Sequence, residues 1–145
     1  MVLFYVFIVL IPIVDFILKQ WINKNIAYGD YVGTIFPFLK ITSVKNTGVA
    51  FSFFSGGRYF FIAIAILEIL IFLYVIFVRK NKDKWFLLSS SFIIGGAVGN
   101  LVDRIFYGCV FDYLKLSFFS PVCNFSDYFI TLGAVILIVS FLSKR

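Results

Sequence analysis

Histidine is absent from this 145-residue chain. That absence removes the Ser-His-Asp triad, the Cys-His pair and the HExxH zinc motif at once. Acidic residues are scarce, seven in all, and charged residues of both signs make up only 14% of the sequence. So little polar surface would not cover a soluble globule. Cysteine occurs twice, as Cys109 and Cys123. Apolar filling is the ordinary role of such thiols, and a disulfide between them requires that both face an oxidising compartment. A basic region and a small-x-small cleavage site are both missing from the apolar N-terminal stretch, which therefore reads as a retained membrane span rather than a secretory signal.

What the chain does have is hydrocarbon: hydrophobic residues make up 62% of it, 21 of them phenylalanines, and its mean hydropathy is +1.05. A membrane-spanning helix needs about 20 apolar residues. Four stretches qualify, at about 2–18, 59–78, 85–101 and 127–142, within one domain covering 1–145. The expected fold is an all-α membrane protein, a four-helix bundle with both termini on one side. Residues 79–84 read Arg-Lys-Asn-Lys-Asp-Lys, and Lys144 and Arg145 end the chain on the same side. That density of positive charge predicts a cytoplasmic face. The net charge of +6 belongs to basic residues scattered at the edges of apolar runs, which suits lipid head groups and not nucleic acid.

The long piece between the first two spans is broken by Gly29, Gly33 and Pro37. Residues 38–44 then read as a strand, Asn46-Thr47-Gly48 as a turn, and residues 49–54 as its continuation. A small extracytoplasmic sheet within about 29–54 is predicted, with Phe51, Phe53 and Phe54 at the interfacial layer.

Most of the polar chemistry is concentrated later. Asn100, Asp103, Arg104, Asp112, Asn124 and Asp127 fall within 28 residues. Intramembrane charges cost about 2.5–3.5 kcal/mol each at a helix centre, so such a cluster is a functional candidate. The spacing Asn-x-x-Asp occurs twice, at Asn100/Asp103 and Asn124/Asp127, and in a helix it puts both side chains on one face. Asn124 stands as an N-cap for the fourth helix, with Asp127 one turn inside, where the helix dipole favours negative charge. Capping and polar contacts between helices account for one such pair; two flanking a third aspartate suggest more. Asp112 and Asp127 cannot share a helix face, but a folded-back loop can unite them. Adjacent carboxylates share a proton, so one can activate water while the other protonates a peptide carbonyl. From the residues alone, the repeated spacing favours Asp103 with Asp127 as that pair.

Asp15-x-x-x-Lys19, Asn46-Thr47-Gly48-Val49-Ala50-Phe51, Gly95-Gly96-Ala97-x-Gly99-Asn100-x-x-Asp103-Arg104, Val110-Phe111-Asp112 and Asn124-x-x-Asp127 together resemble the lipoprotein signal peptidase (signal peptidase II) family, in its order and over nearly the whole chain. The resemblance implies an aspartyl protease of the bacterial inner membrane that cuts a prolipoprotein just before a cysteine bearing diacylglycerol. It places the catalytic pair on Asp112 and Asp127. Asn46, Asn100, Arg104 and Asn124 match positions that line the substrate site or orient the pair. Asp103 matches a position that anchors Arg104 or the loop, and Asp15, Lys19 and Gly48 match supporting positions. No metal or organic cofactor is implied. The expected partners are diacylglyceryl prolipoprotein signal peptides and membrane lipid, and a monomer is expected. Phe16 and Ser126 depart from the family, which usually has Gln and Ala there.

Glu68, deep in the second span, reads as a protonated or hydrogen-bonded structural residue. A Ser-Lys mechanism on Ser117 and Lys115 is disfavoured by their place in an exposed loop. The rival from another class is a small transporter or assembly factor with an acidic proton or cation site. A relay of that kind would string carboxylates along the spans, whereas here they collect at one end.

Overall fold

The computed structural model describes residues 2–48, 57–78 and 83–144. Four helices in it are long and apolar enough to cross a membrane. Helix α1 covers Val2–Asn25, α2 Gly57–Leu73, α3 Lys84–Tyr107 and α4 Phe125–Leu142, and α2 runs on into a π-turn at Tyr74–Val78. Strands β1 (Tyr31–Gly33), β2 (Leu39–Asn46), β3 (Val110–Leu116) and β4 (Val122–Cys123) form one antiparallel sheet in that order. The expected bundle with a small sheet is what the chain forms, but the sheet is not confined to 29–54: β3 and β4 come from the connection between α3 and α4, where β3 pairs with β2. The continuation at 49–54, with Phe51, Phe53 and Phe54, lies outside the described residues.

Helix α3 is the hub. Two-thirds of its apolar window is buried, against about a fifth or less for the other three spans. Its sequence explains this: Ser89, Ser90, Ser91, Gly95, Gly96, Ala97 and Gly99 are all buried. Small residues let neighbouring helices approach closely where lipid provides no hydrophobic drive for association. The three serine hydroxyls return to carbonyls of their own helix, to Phe86 O and Leu88 O at 2.6–2.9 Å, so none is left unpaired in the apolar interior. Phe4, Ile76 and Ile94 form an apolar core near the end where the chain termini lie. The side chains that face outward, such as Leu67, Leu70, Val135 and Ile138, are large, apolar and exposed, as lipid contact requires.

Both termini share one end of the bundle. Lys144 pairs with Asp83 at 2.6 Å beside the start of α3, and Leu3 and Phe4 line a groove with Lys84 and Trp85. The sheet caps the other end. Helices α1 and α3 outrun the apolar stretches expected at 2–18 and 85–101, reaching Asn25 and Tyr107. Helical hydrogen bonding continues past the hydrocarbon pattern wherever polar residues find partners, and here the sheet supplies them.

Local devices set both ends of α3 and the register of the sheet. Asp83 caps α3 by accepting from Trp85 N and Phe86 N, at 3.1 and 2.9 Å, and Gly108 ends the helix with φ +73°, a left-handed turn that reverses the chain into β3. Between Ile41 and Val44, two residues of β2 stand against one of β3, Tyr113. That irregularity buries consecutive residues Thr42 and Ser43 and puts Val44 opposite Asp112, with Asn46 diagonal to it on the same face.

Candidate active site

Asp112 projects from β3 and is only 2% exposed. Its Oδ1 accepts from Asn124 Nδ2 at 2.7 Å and its Oδ2 from Asn46 Nδ2 at 2.8 Å. Asn46 Oδ1 in turn takes the Gly48 N–H at 2.9 Å, which leaves its NH2 facing the carboxylate. That Asx turn needs Gly48: its φ is +82°, and a Cβ there would run into the Phe61 ring.

Asp127 stands one turn inside α4. Asn124 and Asp127 form the expected cap reciprocally, with Asp127 N donating to Asn124 Oδ1 at 2.9 Å and Asn124 N donating to Asp127 Oδ2 at 3.1 Å. Asp127 Oδ1 accepts from Asn100 Nδ2 at 2.7 Å. One residue, Asn124, thus touches both carboxylates, and its Nδ2 also donates to Asn100 Oδ1 at 3.1 Å. The hairpin of β3 and β4 is the folded-back loop that joins the two aspartates.

Asp103 does not join them. Its Oδ2 accepts the Phe111 N–H at 3.2 Å and pairs with Lys19 Nζ at 2.8 Å. Asp103 thus ties the start of β3 to α3, while Arg104 donates to Asn100 O at 3.2 Å and lays its guanidinium 5.3 Å from the Phe61 ring centre. Lys19, 1% exposed, also pairs with Asp15 at 2.5 Å and reaches Asn100 Oδ1 at 3.5 Å. Asp15 accepts further from Tyr113 Oη at 3.1 Å and Ser126 Oγ at 2.8 Å. Tyr113 Oη takes the Phe125 N–H at 3.1 Å, holding the start of α4.

Tyr113 and Ser126 were not legible as site residues, although a tyrosine buried beside a candidate aspartate needs a partner for its hydroxyl. Ser126 turns a departure from the family into an added hydrogen bond. Phe16, the other departure, faces outward and leaves the partners of Asp15 intact.

Burial pushes the Asp112 carboxyl up to about 6, with the charge of Asp127 adding and the Asn46 and Asn124 amides pulling the other way. Burial likewise raises the Cys123 thiol to about 11, with Asp127 and Asp112 adding to the effect, and it raises Cys109 too. Both cysteines are free thiols, so neither a disulfide nor a ready thiolate stands beside the pair.

A cavity of about 220 Å³ opens against Asp127, Asn100 and Arg104. Phe61, Ile64, Ala65 and Glu68 of α2 form one wall, with Ala97 and Ile130 opposite. Glu68 of α2 also reaches this cavity. Among the described residues its carboxyl has no hydrogen-bond or ion-pair partner, and it lines the same cavity as Asp127.

This arrangement has counterparts in known proteins. The chain is 34% identical over 138 residues to the lipoprotein signal peptidase of Clostridium tetani, covering 92% of this chain and 88% of that one. It is 39% identical over 136 residues to the lipoprotein signal peptidase of Wigglesworthia glossinidia brevipalpis, covering 90% and 88%. Its fold is similar to that of a bacterial membrane enzyme of known structure, with a TM-score of 0.93 and 28% identity over 100% of this chain and 96% of that one. The family model for signal peptidase II matches residues 7–143. With a match of that extent, and with the motif residues gathered at one end of the bundle, the chain belongs to the signal peptidase II family.

Proposed function

We propose that this membrane peptidase removes the signal peptide from diacylglyceryl-modified prolipoproteins, as an aspartyl endopeptidase whose catalytic pair is Asp112 and Asp127. The observation that carries the assignment is Asn124, which hydrogen-bonds both carboxylates and so holds them to one point. Asp103 is already occupied by Lys19 and the β3 backbone, which argues against the alternative pair suggested by the repeated spacing.

Asp127, at the N-terminus of α4, is the ionised member, because the helix dipole and two donors favour its charge. Asp112 holds the shared proton. Water attacks the carbonyl carbon of the scissile amide while Asp127 takes its proton and Asp112 protonates the carbonyl oxygen. The tetrahedral diol collapses as the proton from Asp127 passes to the amide nitrogen and Asp112 recovers its own. The C–N bond breaks, leaving a carboxylate on the signal peptide and a free amine on the lipid-bearing cysteine. Arg104 has one hydrogen bond among the described residues, so its remaining N–H groups are available to substrate carbonyls at the cavity.

The sheet end is the extracytoplasmic face and the termini are cytoplasmic, as the positive charge at 79–84 and at Lys144 and Arg145 supports. Substrate and its acyl chains enter laterally from lipid. One chain supplies every residue of the site, in keeping with a monomer. The test is processing of a diacylglyceryl prolipoprotein in detergent: Asp112→Asn and Asp127→Asn each lose about 10²–10⁴-fold in rate while still binding substrate. Near-normal cleavage by either variant would remove that residue from the pair. The transporter reading has no such dependence on a peptide substrate, and the family match runs against it.

A further inference from the structure

The cavity beside Asp127 is a groove with three helical walls. On α2, Phe61, Ile64, Ala65 and Glu68 follow the spacing i, i+3, i+4, i+7, which is a single stripe along the helix. Seven residues of helix rise about 10 Å. An extended peptide covers that distance in about three residues, at roughly 3.3 Å each. Glu68 lies at the deep end of the stripe, eleven residues into α2, while Asp127 lies near the outer start of α4.

Glu68 is half-buried and unpartnered among the described residues. A carboxyl at membrane depth is unfavourable unless something bonds it, and nothing among the described residues does so. Its compensation therefore comes from what enters the groove. A peptide stretched toward the pair has left the helical form and brings backbone N–H groups that lipid cannot satisfy. Successive residues of an extended chain face opposite sides, so alternate N–H groups point at α2. A carboxyl oxygen accepts such a donor whether the group is neutral or ionised.

We infer that Glu68 is a substrate-binding residue whose carboxyl accepts a backbone N–H of the signal peptide about three residues before the scissile bond. The inference rests on the reading of this cavity as the peptide groove. Glu68 then holds the register of the strand while Asp112 and Asp127 act on the bond.

The experiment is an ester scan. Lipopeptide substrates are made with one amide replaced by an ester at each of the four bonds preceding the scissile one, deleting one N–H at a time. The full chain in detergent, Glu68→Gln and Glu68→Leu are assayed on each. In the wild type, one ester lowers kcat/KM about tenfold, chiefly through KM, as loss of one hydrogen bond predicts. Glu68→Leu loses about tenfold on the all-amide substrate and nothing further on that ester, while Glu68→Gln, which keeps an acceptor, stays within about threefold of wild type. The inference fails if the wild type tolerates all four esters, a result that needs no variant. It fails equally if Glu68→Leu, folded by its thermal transition, loses as much on the ester as the wild type does. A wild type that leaves the all-amide substrate uncut would count against the peptidase reading itself.

Discussion

The Lys19 ammonium faces Asn100 Oδ1 at 3.5 Å, and the contact sets the direction of an entire chain of amides. An ammonium can only donate, so Asn100 turns its oxygen toward Lys19 and its NH2 toward Asp127. The same oxygen accepts from Asn124 Nδ2, which also donates to Asp112, while Asn124 Oδ1 takes the Asp127 N–H. Both carboxylates consequently meet donors. A charge in α1 thus orients groups on α3, β3 and α4 without touching the pair.

Lys19→Met leaves Asp15 and Asp103 buried without their cation. Removing one partner from a buried ion pair costs about 3–5 kcal/mol. A lowered thermal midpoint in detergent is expected, together with loss of cleavage.

Asn100→Asp keeps the shape but replaces the donor to Asp127 with an acceptor. A lost hydrogen bond to a charged group costs about 1.5–3 kcal/mol, or about ten- to hundredfold in kcat/KM. Steady-state kinetics should show at least that loss, with Asn100→Ala falling less because it adds no repulsion between carboxylates.

The pH profile follows from Asp112. In the proposed mechanism its carboxyl, raised to about 6 by burial, has to be protonated to act as the acid. Protonation is complete well below that value and is lost above it, so kcat/KM should fall with an alkaline limb centred near 6. Bound substrate excludes more water and raises the group further, so the limb in kcat should lie at higher pH. A profile of kcat/KM that rises across this interval would reverse the roles given to the two aspartates.

Gly99 packs directly on Ser126, and a Cβ at Gly99 would collide with Ser126 Oγ and lie 3.2 Å from Asp15 Oδ2. Gly99→Ala should destabilise the fold by about 1–3 kcal/mol. Ser126→Ala alone should cost about 1 kcal/mol through the lost bond to Asp15, yet in the double variant it should recover part of the Gly99→Ala loss. Thermal unfolding of the four proteins measures the coupling, and simple additivity would mean that the collision is relieved elsewhere.

The spans were legible because apolar length is a property of consecutive residues, and so was the Asn124 cap, whose partner lies three residues away. The turn at Asn46-Thr47-Gly48 carried its own chemistry in the same way. Local spacing misled where partners are remote. The repeated Asn-x-x-Asp pointed to Asp103, whose carboxylate is engaged by Lys19, 84 positions away, and by Phe111 N of β3. The setting of Glu68 was not legible, because residues of α3 and α4 share its cavity with those of its own helix.

By itself the sequence determined the membrane class, the number of spans, the Asn124 cap and the stock of side chains able to do acid–base chemistry without histidine. Periodicity, hydropathy and capping act over a few residues, so they survive in one dimension. Only the tertiary structure decided which aspartates share Asn124, which one serves Lys19, and that Glu68 opens into the groove. Those outcomes depend on how β3 folds back against α4 and on the small residues of α3 that let its neighbours close in. They are set by contacts between elements, which no local pattern encodes.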